Sequence, residues 1–322
     1  MTAGAAFDSS SYESTFYEDL CGCGSLGYSA GTGFGAIEGW PPEFTLPEPR
    51  FRPDTPEPAR IQVRKLAERG THILKIWLDD FGGKVPKIPI PVVRAIIDEA
   101  RGNDIKTFAH VLFLKDAIDL VDAGIHVLAH SIRDERISRS FADKMVERCV
   151  ILAPTLVREE AELAFAGQDN PYFKNALFRE CAGAQLEPLL AMHTGGTRTP
   201  SELAQKFELA LANFETLSKA GVGICLSTDS GFKMKIGGFS QHRELELMSG
   251  AGLSASGSLE AALGNNKNLF ATDLVAVARG QLASFFLVKG DPLQNISCTQ
   301  NVSEVWFEGK QIKSDDEKEM QS

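Results

Sequence analysis

The sequence lacks any apolar run that is long enough to cross a membrane. None of its hydrophobic stretches reaches the roughly 18 residues that a spanning helix needs, and no basic segment followed by an apolar one opens the chain. Positive charge is also scarce, since 33 Lys and Arg residues face 43 Asp and Glu residues, for a formal net charge of -10. We therefore predict a soluble, cytoplasmic protein with a small-molecule substrate that binds neither membranes nor nucleic acid.

Cysteine chemistry is also weakly represented. The six cysteines lie at positions 21, 23, 149, 181, 225 and 298. Cys21 and Cys23 are too close for an ordinary disulfide, no CxxC pair follows them, and a zinc knuckle would need four ligands at loop spacing. We interpret all six as structural or incidental thiols.

Composition and periodicity divide the chain into four parts. Helical and strand patterns alternate from Pro56 onward, whereas the preceding segment is rich in Gly, Ser and Pro. The predicted parts are an irregular segment over 1–55, a βα region over 56–275, a β appendage over 276–314 and a solvated tail over 315–322. In the appendage, LASFFLVKG and VSEVWFEGKQI predict two antiparallel strands.

The βα region is predicted to form a parallel sheet. Near-continuous apolar runs such as HILKIWL and IHVLAHS are each followed by a helical pattern, as in sheets that helices cover. The helical spacing of PEPARIQVRKLAERG places Ile61, Val63, Leu66 and Ala67 on the inward face.

Four chemically active residues lie near the C-terminal ends of apolar runs: Lys75, His110, His130 and Asp229. In a βα barrel the carboxyl ends of the strands line one mouth, where residues from different strands converge. Neutral imidazoles suit zinc, manganese or iron, and an aspartate beside them can transfer a proton. The pattern is typical of a metal-dependent hydrolase.

Each of these residues also has a structural explanation. Lys75 could be a strand-end lysine that pairs with Asp79 or Asp80, and Asp229 could form an Asx-turn or cap a helix. A histidine in an apolar strand is often simply a core residue. An unpaired buried ammonium is costly, however, so a lysine between Leu74 and Ile76 needs a specific reason.

The other four histidines are weaker candidates. His72 and His126 lie at strand beginnings, at the end opposite the mouth, and are predicted to be structural. His193, in MHTGGTRTP, and His242, which opens HRELELM, are weak candidates for substrate contact. A helix cap or a solvated position explains both of them equally simply.

Several motifs together resemble one family. KIWLDD, AHVLFLKDAIDLVDAG, LAHSIRD, LAPTL, LSTDSG, HRELELM, SLEAAL and KGDPLQNI are similar, in this order, to segments of the amidohydrolase superfamily over roughly residues 56–312. The imidazolonepropionase-like and prolidase-like branch is the most similar. The resemblance implies a (β/α)8 TIM barrel with a β-sandwich built from both chain ends, and one or two divalent metals per chain, most commonly zinc.

The resemblance also implies a role for each of the four residues. Lys75 corresponds to a lysine that is carboxylated and bridges two metals, and His110 and His130 correspond to metal ligands. Asp229 corresponds to an aspartate that binds metal and shuttles a proton. The implied reaction is hydrolysis of a C–N bond by a metal-bound hydroxide, in a small amide, a cyclic amide or an N-blocked dipeptide.

The sequence departs from the family pattern at its beginning. The His-x-His motif that ends the first barrel strand in the family is absent, and MTAGAAF resembles the end of the third strand. We therefore predict an N-terminally truncated barrel of about five strands with a small β-sandwich remnant. A homo-oligomer or a partner would cover the open sheet edge that such a truncation leaves.

Three hypotheses about function follow. The first is a metal-dependent hydrolase acting on C–N bonds. The second is a truncated, catalytically inactive amidohydrolase-like binding or assembly subunit. The third is that the sequence is a shortened form of a longer protein. Loss of His-x-His favours the last two, whereas retention of Lys75, His110, His130 and Asp229 favours the first and the third.

Overall fold

The structure is a computed structural model. It describes residues 4–6, 27–42, 50–167, 170–191, 198–231, 234–265, 269, 278–281 and 283–314. The strands are β1 Gly4–Ala6, β2 Gly27–Ser29, β3 Ile73–Trp77, β4 Lys106–His110, β5 Val127–Ala129, β6 Ile151–Ala153, β7 Phe285–Val288, β8 Val302–Phe307 and β9 Lys310–Ser314.

Helices precede and follow the central strands, as the alternating patterns predicted. They are α1 Pro56–Glu68, α2 Ile90–Gly102, α3 Leu114–Ala123, α4 Arg139–Glu147, α5 Leu156–Ala166, α6 Ala176–Ala182, α7 Leu186–Ala191, α8 Pro200–Ala220, α9 Phe239–Gly250 and α10 Ala255–Ala262. In α1 the inward residues are Ala59, Val63 and Leu66. The sequence prediction for Ile61 was wrong, because its side chain is 42% exposed.

The central sheet is parallel and has the strand order β3-β4-β5-β6. Its register aligns Trp77 with His110, His110 with Ala129, and Ala129 with Ala153, so these four residues form one row at the carboxyl end. The row below it contains Lys75, Phe108, Val127 and Ile151. The predicted α/β class with parallel strands is confirmed.

Side chains alternate between the two faces of this sheet. Leu74, Ile76, Ala109, Leu128 and Leu152 belong to the large core that the helices cover. Ile73, Phe108, Val127 and Ala153 form a smaller cluster on the other face, together with Ala30 and Cys225. Because residues two apart in a strand share a face, Lys75 and His110 lie on the side of the smaller cluster.

Both edges of the central sheet continue into short backbone pairings. At the β3 edge, the Phe34 N–H donates to the Lys75 carbonyl at 2.8 Å, and the Trp77 N–H donates to the Phe34 carbonyl at 2.9 Å. At the β6 edge, Leu152 forms a parallel bridge with Ile224, within the predicted VGICLST strand. The segment predicted to be irregular thus also contains β1 and β2, which pair in parallel, and it supplies a partner for part of the β3 edge.

The C-terminal appendage is an antiparallel sheet in the order β7-β8-β9. The run VSEVWFEGKQI was predicted as one strand but forms two, β8 and β9, joined at Glu308 and Gly309. Both turn residues have positive φ, 49° and 83°, as a two-residue hairpin of type I′ requires. No helix within the described parts of the chain has the length and apolar character needed to span a membrane.

Candidate functional site

Lys75 lies in the middle of β3, one layer below His110, and is 3% exposed. Its ammonium is 5.9 Å from the ring centre of Trp77, which lies one layer higher on the same strand. The two aspartates considered as alternative partners contact other groups. Asp79 contacts His110, and Asp80 contacts Lys87 at 3.1 Å.

His110 and His130 lie side by side at the carboxyl end of the sheet. Their ring centres are 4.6 Å apart, with the planes at 67°, and the two residues are 7% and 6% exposed. His110 ends β4 on the inner face. His130 follows β5, whose last residue Ala129 is aligned with His110.

An unusual backbone conformation explains how His130 reaches His110. Simple alternation after Ala129 would turn the next side chain toward the helices. His130 instead has φ of 76°, in the left-handed region that non-glycine residues rarely adopt. Thr155 and Asp229, which follow β6 and the Ile224 bridge, have φ of 52° and 55°. Such strained positions cluster at functional sites in proteins.

Each imidazole is oriented by a hydrogen-bonding neighbour. His110 Nε2 lies 3.1 Å from Asp79 Oδ2, so the ring N–H donates to this carboxylate and leaves the Nδ1 lone pair free. His130 Nδ1 lies 2.9 Å from Thr155 Oγ1, which leaves Nε2 of His130 for another partner. Metal-binding histidines are held in the same way by a second polar group.

The environment keeps both imidazoles neutral. Burial lowers the pKa of His110 to about 4, against the raising effect of its hydrogen bond to Asp79. Burial also lowers the pKa of His130 well below its usual value, and the neighbouring His110 and Lys75 act in the same direction. Neutral imidazole is the form that binds a metal.

Asp229 takes part in a network of ion pairs. Its Oδ2 lies 3.0 Å from Lys235 Nζ and 3.5 Å from Arg158 Nε, and its side chain is 40% exposed. Arg158 also pairs with Glu159, and with Glu162 at 3.3 Å. The charge of Arg158 contributes to lowering the pKa of both His110 and His130. The network therefore lies beside the imidazole pair.

These observations fit a metal ion in part. The described residues contain no group of three His, Cys, Asp or Glu side chains that could hold one. Two neutral, oriented imidazoles are suitable ligands, but a catalytic zinc site has three protein ligands. The third donor would have to be Lys75, whose carboxylation would add oxygen donors next to the histidines.

The weaker candidates are located as follows. His193 lies outside the described residues. His242 Nδ1 lies 3.0 Å from Thr299 Oγ1, so His242 connects α9 to the C-terminal region. His126 Nδ1 accepts the backbone N–H of Thr107 at 3.1 Å, at the amino end of β4 and away from the row of His110.

Sequence reasoning missed several residues of the site. Thr155 was within the quoted motif LAPTL but received no role, and Asp79 was considered only as a partner of Lys75. No sequence pattern indicated a role for Arg133, Arg158 or Lys235, since arginine and lysine side chains are normally solvated. Only the folded chain brings them next to Asp79, the two histidines or Asp229.

Comparison with solved structures identifies the fold. No protein-family model and no curated protein matches the sequence. Solved structures do match, and they include an amidohydrolase, prolidases and other hydrolases. The chain has the fold of these amidohydrolase-type enzymes.

Three of these solved structures show how similar they are to this chain. An ochratoxinase of A. niger has 19% sequence identity and a TM-score of 0.74, over 97% of this chain and 72% of its own. A Xaa-Pro dipeptidase with methionine bound in its active site has 18% identity and a TM-score of 0.71, over 96% and 74%. A molinate hydrolase has 16% identity and a TM-score of 0.64, over 96% and 72%. At these identities the similarity establishes the fold.

Proposed function

We propose that the chain is a hydrolase of C–N bonds, acting on a small amide, a cyclic amide or an N-blocked dipeptide. One observation carries the proposal: two neutral, oriented imidazoles lie 4.6 Å apart beside a buried lysine, at the carboxyl end of a parallel sheet. The fold supports it, because solved structures with this fold include a Xaa-Pro dipeptidase and an ochratoxinase.

His110 and His130 would hold a divalent metal, most simply zinc, through His110 Nδ1 and His130 Nε2. A carboxylated Lys75 would complete the ligand set. When bound, such an ion supplies Lewis acidity toward the substrate carbonyl. Asp79 and Thr155 fix the ring orientations, so the position of the free nitrogen of each histidine is set by a hydrogen bond on the other side of its ring.

Asp229 is the proposed proton carrier. Its carboxylate accepts the proton released by the attacking water and later gives it to the departing nitrogen. Arg158 and Lys235 hold the carboxylate in position, because both contact Oδ2. The side chain of Asp229 is 40% exposed, which supports a role in contact with a substrate that enters from solvent.

A hydrolysis assay tests this proposal. N-acetyl amino acids, cyclic amides and N-blocked dipeptides would be incubated with zinc- or manganese-supplemented protein, supplied with bicarbonate to carboxylate Lys75. Lys75→Met and Asp229→Asn should each lower kcat at least 100-fold. Lys84→Met, an exposed change in the loop after β3, should leave it unchanged. Turnover that survives in Lys75→Met would contradict the proposal.

A second function is a non-catalytic binding or assembly subunit. The specific observation in its favour is that the described residues contain no group of three His, Cys, Asp or Glu side chains arranged to hold a metal ion. Folded, metal-supplemented protein that hydrolyses none of these substrate classes would favour this alternative.

A further inference from the structure

A cavity lies near the candidate site. It has a volume of about 310 Å³ and lies between the loop after β5 and the first turns of α8. Arg133 and Asp134 line it from the loop, and Arg198, Glu202 and Lys206 line it from the α8 side. Because helices in βα units run antiparallel to the strands, the start of α8 is at the same end of the sheet as the histidine pair.

Two of the cations in the cavity wall are fixed by ion pairs. Arg133 is 3% exposed, and its Nε lies 3.0 Å from Glu159. Arg198 Nη1 lies 3.2 Å from Glu162, a carboxylate that also pairs with Arg158. The guanidinium groups are therefore held in place before any ligand arrives, so little conformational entropy is lost on binding.

The two carboxylates in the wall are occupied by backbone donors. Asp134 Oδ1 accepts the N–H of Leu114 at 2.9 Å and so caps α3. Glu202 Oε2 accepts the N–H of Thr199 at 2.7 Å and its hydroxyl at 2.9 Å, in the capping box of α8. Glu202 precedes Lys206 by one helical turn, the usual spacing for an ion pair, but the capping box uses its carboxylate.

Lys206 is thereby left without a direct partner. Within the described parts of the chain no acceptor forms a hydrogen bond or close ion pair with its ammonium, although the side chain is half-buried. Burial lowers the pKa of Lys206, and the positive charges of Arg198 and Arg133 lower it further, against the smaller opposing effect of Glu159 and Glu162. Desolvated positive charge of this kind is relieved by an anion.

We propose that this cavity binds a small organic anion bearing a phosphate or carboxylate group. Lys206 and Arg198 donate to the anionic oxygens, and buried Arg133 adds positive potential from the cavity floor. The volume of about 310 Å³ exceeds that of a single phosphate ion, so the cavity has room for an organic part as well. The inference does not depend on hydrolysis, because it rests on the cavity and its charges alone.

Isothermal titration calorimetry would test this with inorganic phosphate, glycerol phosphate and succinate, each at constant ionic strength set with sodium chloride. We expect saturable binding of at least one probe. Tighter binding of glycerol phosphate would identify a phosphate-bearing ligand, and tighter binding of succinate a carboxylate-bearing one. Either result supports the site, whereas no saturable binding of any probe would overturn it.

Variants locate the binding. Lys206→Gln and Arg198→Gln should each weaken the affinity at least tenfold, whereas Lys219→Gln should not change it. Lys219 is on the same helix, but it is exposed and pairs with Glu215 at 2.6 Å. Arg198→Gln removes a side chain that is 39% exposed, so it tests the site even if Lys206→Gln fails to fold. Unchanged affinity in Arg198→Gln would place the anion elsewhere and overturn the proposal.

Discussion

At the scale of single residues, the orientation of the two histidines is the feature on which the site depends. His110 reaches the inner face by ordinary strand alternation. His130 reaches it through a left-handed backbone conformation, φ 76°. Asp79 and Thr155 then determine which ring nitrogen of each remains available. The orientation of the imidazole pair is therefore fixed by the protein itself.

The partner of His110 gives the first prediction. Asp79→Asn keeps the size of the side chain but removes the carboxylate that fixes the ring and its tautomer. Metal affinity should fall about 10- to 100-fold, the usual effect of losing such a partner. Competition with a chromogenic chelator measures it. Asp80→Asn is the control, because Asp80 pairs with Lys87 instead. Equal affinities in the two variants would contradict the proposed role of Asp79.

His126 gives a prediction about acid stability. Burial lowers its pKa from 6.5 to about 4, with Lys106 and Arg101 contributing, and its Nδ1 must be unprotonated to accept the Thr107 N–H. Between pH 6.5 and pH 4 the His126 imidazole is protonated in the unfolded chain but stays neutral in the folded chain. Its stabilising contribution is therefore complete above pH 6.5 and is lost as the pH falls toward 4.

The measurement is urea unfolding of the wild type and of His126→Asn, whose side-chain carbonyl can replace Nδ1 as the acceptor. Between pH 6.5 and 4 the wild type should lose about 1 to 2 kcal/mol more stability than the variant, after allowance for partial solvent screening at this half-buried site. Identical pH profiles would show that His126 is not an acid-sensitive position.

At the scale of elements, the helix that carries the ion network is anchored by a distant carboxylate. Glu244 of α9 is fully buried and accepts the N–H groups of Leu156 and Val157 at 2.8 and 2.7 Å. These are orphan donors of the first turn of α5. Arg158 follows directly and contacts Asp229. The capping contact therefore helps to place the proposed proton carrier.

Removal of this cap should be costly. Glu244→Ala leaves two buried N–H groups without acceptors, and the free energy of unfolding should fall by about 2 to 4 kcal/mol. Glu244→Gln keeps one acceptor oxygen, so its free energy of unfolding should lie between those of the wild type and Glu244→Ala. Denaturant unfolding followed by circular dichroism measures both, with the exposed Glu208→Ala as the control. A loss in Glu244→Ala no larger than in the control would contradict the capping role.

The strands and helices were predictable from the sequence to different degrees. The apolar runs identified Lys75 and His110 and placed both on a parallel sheet, because burial between helices requires such runs. The inward contact of His130 depends on a φ value that periodicity cannot encode. Ile61 was misplaced because Ala59 and Val63 occupy the inward face of α1, and small residues such as Ala59 give a weak hydrophobic signal.

The ion pairs of the site were beyond prediction for another reason. Arg158 and Asp229 are separated by 71 positions in the sequence, and nothing in either local pattern indicates that they meet. Lys206 is a similar case, because the carboxylate one helical turn before it, Glu202, is used by the capping box instead. Long-range charge pairing is a property of the tertiary structure.

At the scale of the whole molecule, the N-terminal part of the chain supports the site by pairing with part of the β3 edge. Phe34 is fully buried and pairs through its backbone with Lys75 and Trp77. It also packs against Phe51, with ring centres 5.2 Å apart. An unpaired sheet edge beside Lys75 would expose backbone donors and acceptors, so this pairing contributes to both stability and solubility.

Truncation of Phe34 tests that role. Phe34→Ala should lower the free energy of unfolding by about 3 to 5 kcal/mol, as large-to-small changes at fully buried aromatic positions do. Ile37→Ala, three residues later at a side chain that is 51% exposed, is the matched control. Guanidinium unfolding compares them. Similar small losses in both variants would show that the segment does not stabilise the sheet.

The central claim is that Lys75, His110 and His130 form a metal site, and elemental analysis of purified, dialysed protein tests it most directly. We expect about one zinc or manganese ion per folded chain, lost in both Lys75→Ala and His130→Ala and retained in His126→Asn. Well-folded wild-type protein without bound metal after supplementation, or metal retained in both site variants, would contradict the claim.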